Sequence, residues 1–273
     1  MKILNGKEIA EFIKARQLRQ VRALRQASHV APKLAIVKTT DNPVIDMYVR
    51  LKKHYGEDVL VDVEVFTVSQ TDLIETIDNL NNDSEIHGII VQLPLADESQ
   101  TDEVVGRIAP EKDVDGMSGR SDSLEPATAV AINWLLAAYN VDLKDKKIAL
   151  VGRGRLVGAP LEKMWRSSRL DIEVFEEGDG KNLETELINY DIIVTATGVP
   201  GLITDQMLRH GAVVVDAGTA SEGGVIVGDV AAEVRERQDL TITPVKGGVG
   251  PLTVAALFDN VITAAQRTVV AKD

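Results

Sequence analysis

Lys147-Ile148-Ala149-Leu150-Val151 is an apolar, β-branched run, and Gly152-Arg153-Gly154-Arg155-Leu156-Val157-Gly158 follows it at once. Leu161, Met164 and Trp165 then recur at helical spacing. A strand, a glycine turn and a helix in that order restrict the chain to folds in which a parallel strand feeds a helix through a tight turn. Backbone without Cβ can approach a pyrophosphate, and the first turn of the helix offers unpaired N–H groups and a partial positive charge. The spacing G-x-G-x-x-x-G is one residue longer than the commonest dinucleotide fingerprint, so a ligand-free structural turn stays open on this stretch alone. Three further turns, Thr195-Ala196-Thr197-Gly198, Asp216-Ala217-Gly218 and Lys246-Gly247-Gly248-Val249-Gly250, put small residues at expected strand ends. That is where a ligand lies on a parallel sheet. The candidate cofactor-binding residues are therefore Gly152, Arg153, Gly154, Val157, Gly158, Thr197, Gly198 and Gly218.

Helical and strand patterns alternate through most of the 273 residues, which predicts an α/β class with largely parallel sheets. Before the glycine turn lie a helix over 7–27, a strand at Leu34–Val37 and a helix opened by Asp41-Asn42-Pro43. A strand at Val61–Val68, a helix carrying Leu73, Ile77 and Leu80, and a buried strand at His87–Leu95 follow. The polar segment Ser118 to Glu125 reads as a boundary. Residues 1–117, with a C-terminal helix over 251–273, then form a first domain, and residues 118–250 a Rossmann-type parallel-sheet domain. In the latter the expected strands are Lys147–Val151, Asp171–Phe175, Asp191–Thr195 and Ala212–Asp216.

Bulk properties narrow the function classes. The apolar share of 44% and charged share of 26% are those of a globular chain, and no stretch nears the roughly 18 apolar residues of a membrane span. Residues Met1 to Glu8 lack the apolar run of a signal peptide and cysteine is absent, so a cytoplasmic setting is expected. A formal net charge of −12 without a basic stripe argues against nucleic acid as a partner. His29, His54, His87 and His210 are far apart in sequence, so no metal site is expected.

Val174-Phe175 is followed by Glu176-Glu177-Gly178-Asp179, about 20 residues after the glycine turn, where an acid can bond a ribose 2′-hydroxyl. The acids Glu176 and Glu177 would repel a 2′-phosphate, which favours NAD over NADP, and Gly178 beside them joins the candidate cofactor-binding residues. Arg153 pulls the other way, because a guanidinium can pair with that phosphate. Solvated loop charges are the bland alternative for both acids.

A second constellation lies upstream. Tyr48 and Lys52 are spaced i,i+4, so a phenol and an amine share one helical face. Gln92-Leu93-Pro94 ends a strand, and Pro110-Glu111-Lys112-Asp113-Val114-Asp115-Gly116 forms a loop just before the boundary. Both fall where a cleft facing the cofactor domain is expected. Taken singly, Tyr48 and Lys52 also suit an amphipathic helix surface, and Asp115 a turn.

These motifs, with Gly228-Asp229-Val230, Thr243-Pro244-Val245, Pro200-Gly201-Leu202-Ile203 and Gly247-Gly248-Val249-Gly250-Pro251, run in order over nearly the whole chain. Together the sequence resembles the bifunctional methylenetetrahydrofolate dehydrogenase/methenyltetrahydrofolate cyclohydrolase family. The resemblance implies hydride transfer from 5,10-methylene-tetrahydrofolate to NAD or NADP, then hydrolysis of the methenyl product to 10-formyl-tetrahydrofolate. It implies Lys52 as general acid/base, Tyr48 as a folate platform, Gln92 as the lysine's partner and Asp115 as the holder of the pterin. Leu93, Pro94, Gly247, Gly248 and Pro251 would line the folate, Thr197 and Thr219 the dinucleotide, and the chain would work as a homodimer. A dehydrogenase with weak cyclohydrolase activity and a non-catalytic folate- or nucleotide-binding module are the alternatives. The chain departs from the family at Val44-Ile45-Asp46, where Ala-Ser-Gln is usual, and at Gly154, where serine is usual. It departs also at Glu177-Gly178-Asp179-Gly180 in place of His-Ser-x-Thr, in a shorter loop after Gly116, and at Lys246 in place of proline.

Overall fold

A computed structural model describes residues 1–120, 122–222 and 225–270. Ser121, within the expected boundary segment, Gly223 and Gly224, within 118–250, and the end of the expected helix, 271–273, lie outside the described residues. The chain divides into two compact units. The first comprises residues 11–127 and the chain from 254 onward, and the second residues 1–10 and 128–253.

In chain order the elements begin with β1 (Lys2–Ile3), α1 (Gly6–Ala27), β2 (Lys33–Lys38), α2 (Pro43–Val59) and β3 (Asp62–Thr67). They continue with α3 (Leu73–Asn82), β4 (Gly88–Val91) and α4 (Thr101–Arg107). The first unit's sheet has the order β3-β2-β4 with both pairs parallel. Its centre, β2, is buried on both faces, so it reads as the continuous apolar run Leu34 to Val37. One face carries Ala35, Val37, Ile89 and Val91, packed with Leu73, Ile77 and Leu80 of α3 and Val104 of α4. Each such side chain taken from water contributes about 1.5–3 kcal/mol. α2 starts as the sequence dictates: the Asn42 side chain accepts from Val44 N at 2.8 Å and Pro43 occupies the first turn.

The second stretch runs α5 (Ala127–Ala138), β5 (Ile148–Val151), α6 (Gly158–Ser167), β6 (Ile172–Phe175), α7 (Leu183–Glu186) and β7 (Ile192–Thr195). After it come β8 (Val213–Asp216), β9 (Ala220–Glu222), β10 (Val225–Val227), β11 (Thr241–Ile242) and α8 (Val249–Val270). Six strands form one parallel sheet in the order β1-β11-β8-β7-β5-β6, and β9 and β10 pair as an antiparallel hairpin. The expected boundaries place residues 1–10 with the first domain. Strand pairing decides otherwise: Lys2 and Ile3 pair in parallel with Thr241 and Ile242, so the N-terminus completes the second unit's sheet. The C-terminal helix returns to the first unit. Gln17 of α1 donates to the Ala255 carbonyl at 2.8 Å and accepts from the Tyr55 hydroxyl of α2 at 2.7 Å, and the Tyr55 ring lies 4.9 Å from that of Phe258.

In both sheets the chain goes to one side of a central strand and then to the other, at β2 and at β5. Such a reversal leaves a crevice outside the strands' carboxyl ends, the usual ligand position on an open parallel sheet.

Candidate active site

At the first unit's reversal, the Val37–Val91 register carries on through Gln92 N, which donates to the Val37 carbonyl at 2.8 Å. Val37 and Val91 face α3 and α4, so the next residues, Lys38 and Gln92, point to the opposite face. Both meet α2. Lys52 Nζ donates to Gln92 Oε1 at 2.7 Å, and Lys38 Nζ donates to Asp46 Oδ1 and Asp41 Oδ1, each at 2.8 Å. Asp46, a departure from the family, is thus matched by a nearly buried lysine of its own. Ile45, where a serine is usual, is 3% exposed and belongs to the core.

Lys52 and Tyr48 are half-buried on one face of α2. Burial pulls the Lys52 ammonium below its ordinary pKa, and the Asp115 carboxylate opposes this. Burial pushes the Asp115 carboxyl up, against the attraction of Lys52, while Asp113 adds to the rise. Burial also raises the Tyr48 phenol. Burial thus lowers the amine and raises the acid, bringing the proton affinities of the two groups toward each other. Leu93 and Pro94 follow Gln92, joined by a cis peptide bond.

The Asp115 loop is tied down by its own motif. Lys112 Nζ donates to the carbonyls of Leu80, Asn81 and Asp83, capping the end of α3. Asp113, fully buried, accepts from Met117 N at 3.2 Å and Ser118 N at 2.9 Å. Gly116 has φ +69°, and a Cβ there would lie 2.6 Å from Pro126 N. From α8, Asn260 Nδ2 donates to the carbonyls of Val114 at 2.8 Å and Glu125 at 2.9 Å, holding both ends of the loop. Sequence reasoning missed Asn260, because an asparagine inside an apolar helix carries no local signal.

The second unit brings together most of the expected cofactor residues. Gly152 has φ +93°, and a Cβ on it would lie 2.7 Å from the Ala196 carbonyl; one on Gly158 would lie 2.1 Å from the Gly152 carbonyl. Only glycine fits at either position. α6 opens at Gly158, and its N-cap, Val157, makes no side-chain cap bond; Ala159 N donates to the Gly154 carbonyl at 3.1 Å and Pro160 has no N–H, so the Gly158 N–H is the first-turn donor left for an anion. These features fit a pyrophosphate. Gly154 differs: a Cβ there would come no closer than 4.0 Å to the Ala196 carbonyl, so nothing steric demands glycine. Thr197 and Gly198 end β7, and Gly218 and exposed Thr219 end β8.

Arg153 is already engaged. Its Nε donates to Glu162 Oε2 at 2.6 Å, and its Nη1 lies 3.6 Å from Glu176 Oε1. Burial draws the Glu162 carboxyl upward, but Arg166 and Arg153 outweigh it and hold the pKa below the usual range. Asp179 closes the neighbouring loop by accepting from Glu176 N and Lys181 N, which keeps its carboxyl low, while Glu177 is exposed and Gly178 turns at φ +84°. Gly247, Gly248 and Pro251 also belong to the second unit. Gly248 packs on Gly6, where a Cβ would lie 1.9 Å from the Gly248 carbonyl.

Among the described residues no helix is long and apolar enough to cross a membrane, and no group of three or more His, Cys, Asp or Glu could hold a metal ion. Comparison with known proteins accounts for both units. The catalytic-domain model of the tetrahydrofolate dehydrogenase/cyclohydrolase family matches residues 4–115, and the model of its NAD(P)-binding domain matches residues 126–269. The bifunctional protein FolD of Sulfurihydrogenibium sp. (strain YO3AOP1) is 36% identical, covering 99% of each chain. The crystal structure of the bifunctional dehydrogenase/cyclohydrolase FolD from Campylobacter jejuni superposes with a TM-score of 0.91 at 32% identity, over 98% of this chain and 99% of that one. The Trypanosoma brucei FolD structure, complexed with NADP cofactor and an inhibitor, has a TM-score of 0.89 at 28% identity, over 98% of each chain. The chain belongs to the tetrahydrofolate dehydrogenase/cyclohydrolase family, with a nicotinamide dinucleotide as its cofactor and a folate as its substrate.

Proposed function

We propose that Lys52, Tyr48, Gln92 and Asp115 carry both of the family's reactions in this chain. 5,10-Methylene-tetrahydrofolate is oxidised to the 5,10-methenyl cation, which is then hydrolysed to 10-formyl-tetrahydrofolate. The observation that carries this is the 2.7 Å bond from Lys52 Nζ to Gln92 Oε1 on the helix face shared with Tyr48. The bound dinucleotide supplies the oxidant, accepting hydride from the methylene bridge. Lys52, with its pKa drawn down, moves the proton as water adds to the methenyl carbon and the ring opens. Gln92 aims the amine by accepting one of its protons. The Tyr48 hydroxyl bonds to no other described residue, which leaves the phenol to pack on and orient the folate. Asp115 accepts from the pterin's amino and ring N–H groups. Leu93 and Pro94 border the same place, and Gly247, Gly248 and Pro251 keep their folate assignment on the family resemblance.

Gly152, Gly154, Val157 and Gly158 receive the pyrophosphate, while Thr197, Gly198, Gly218 and Thr219 receive the nicotinamide half. NAD is the preferred dinucleotide. Arg153, the guanidinium that would pair with a 2′-phosphate, is held between Glu162 and Glu176, and Glu176 and Glu177 add negative charge beside Gly178. The family resemblance supports a homodimer, and the absence of cysteine from the sequence suits the cytoplasm.

Buried Ile45 favours a second reading, a dehydrogenase that releases the methenyl product with little hydrolysis. Single-turnover assays that follow methenyl- and formyl-tetrahydrofolate separately decide between them. The bifunctional reading expects formyl product well above the spontaneous rate in the wild type, and loss of that excess in Lys52→Met with folate binding retained. Formyl product at the spontaneous rate in the wild type refutes it.

A further inference from the structure

Behind the carboxyl ends of β7 and β8 lies a buried acidic cluster that the proposed chemistry does not use. Asp229 is fully buried. Its Oδ2 accepts from the Thr195 hydroxyl at 2.6 Å and from Thr197 N at 2.7 Å. Its own backbone N–H donates to Asp216 Oδ1 at 3.0 Å. Asp216 also accepts from Gly218 N at 3.3 Å, from Val230 N at 3.2 Å and from Arg235 at 2.8 Å, and Arg235 reaches the Thr243 carbonyl at 2.7 Å. The other oxygen of Asp229, Oδ1, is buried and accepts from no described residue. It is pressed against the β8 end, since a Cβ on Gly218 would lie 1.9 Å from it.

The two donors on Oδ2 need an acceptor here, and an apolar residue would leave both unpaired. A neutral amide oxygen would serve them without burying a second, unpaired carboxylate oxygen, which is a standing cost of a few kcal/mol, so fold stability alone gives no reason for the charge. Its position gives one. The dinucleotide spans the strand ends, with its adenosine toward β6 and its pyrophosphate at β5, so its nicotinamide half falls on β7 and β8. Asp229 touches both of those ends at once, by a hydrogen bond to the Thr197 amide and by packing on Gly218.

We infer that Asp229 is a positioning residue for the nicotinamide half of the cofactor: it sets the gap between the Thr197–Gly198 and Gly218–Thr219 turns. The inference rests on the dinucleotide reading of the second unit. It also separates the two activities, because hydrolysis of methenyl-tetrahydrofolate consumes no dinucleotide.

The test is isothermal titration of the full-length wild type and Asp229→Asn with NAD⁺ and with NADP⁺, alongside cyclohydrolase turnover. Weakening of the better dinucleotide by about tenfold, a difference of about 1.4 kcal/mol, with cyclohydrolase turnover kept within about twofold, is the expected result. Unchanged dinucleotide affinity overturns the inference. So does a parallel loss of binding and cyclohydrolase turnover, which would mark a purely structural role. Should Asp229→Asn fail to fold, Thr195→Val removes one donor to the carboxylate and should weaken binding by about threefold in the same direction; wild-type affinity in that variant overturns the inference equally. Failure of the wild type to bind either dinucleotide would refute the cofactor reading itself, and the assignment of Asp229 with it.

Discussion

An ammonium surrounded by side chains gives up hydration that no single neighbour replaces, and Lys52 shows how far one carboxylate goes toward compensating it. Burial lowers the Lys52 pKa and Asp115 raises it. Replacing Asp115 by asparagine removes the opposing attraction, so the pKa of Lys52 should fall further below its ordinary 10.5. The midpoint of the pH dependence of cyclohydrolase kcat should then move to lower pH, while folate KM rises for want of the pterin acceptor. A midpoint that stays in place or moves upward would separate Asp115 from the lysine's electrostatics. Arg153 allows a parallel argument about charge. Glu176→Gln leaves Arg153 its ion pair with Glu162 and removes a repulsion toward a 2′-phosphate. The ratio of kcat/KM for NADP to that for NAD should therefore rise, by about tenfold if the relief is worth about 1.4 kcal/mol. Because Arg153 is half exposed and the pair is screened, a smaller rise in the same direction still fits. No rise means that Glu176 does not set the preference.

Elements matter here through what they hold at their ends. α8 is apolar on most sides, with Leu257, Phe258, Val261 and Ile262 buried, and its polar Asn260 reaches across to a loop. Asn260 satisfies two loop carbonyls 11 residues apart, those of Val114 and Glu125. Asn260→Leu leaves both without that donor and should cost about 1–3 kcal/mol by urea denaturation, with folate KM raised because Asp115 sits next to Val114. Wild-type stability and KM together would show that the loop holds itself. The Lys112 to Gly116 motif illustrates how much of this was legible beforehand. It read as one loop carrying a candidate ligand at Asp115, and the structure assigns separate duties to its neighbours: Lys112 caps α3, Asp113 closes the loop, Gly116 turns it. Residues that act by local geometry, such as Asn42 and Pro43 at the start of α2 or Gly152 after β5, announce themselves in sequence because backbone sterics limit the choices. Asn260 and Asp229 act on partners distant in sequence, and nothing in their own neighbourhoods signals it.

At the scale of the whole chain, periodicity was enough to reveal the parallel α/β class and the positions of the long strands. It missed α4 and the short strands β1, β9, β10 and β11, since two or three residues carry no measurable period. β1 also shows why residues 1–10, which the sequence places with the first domain, group with the second unit in the structure: its pairing with β11 is a contact across most of the sequence. Net charge is the one global property that sequence states outright, and it bears on function through the approach of ligands. The chain carries a formal charge of −12, and both the dinucleotide and the folate are anions. At low salt the field of such a molecule extends about 30 Å and repels them; at physiological ionic strength it fades within about 8 Å. Local donors at the glycine turn act at contact and are screened far less. The value of kcat/KM for the dinucleotide should therefore rise as salt is raised from about 0.01 M to about 0.15 M, with kcat nearly constant, because only the encounter is affected. A steep fall over the same range would mean that an unneutralised cation governs capture, and Arg153, freed of Glu176 and Glu162, would be the residue to suspect.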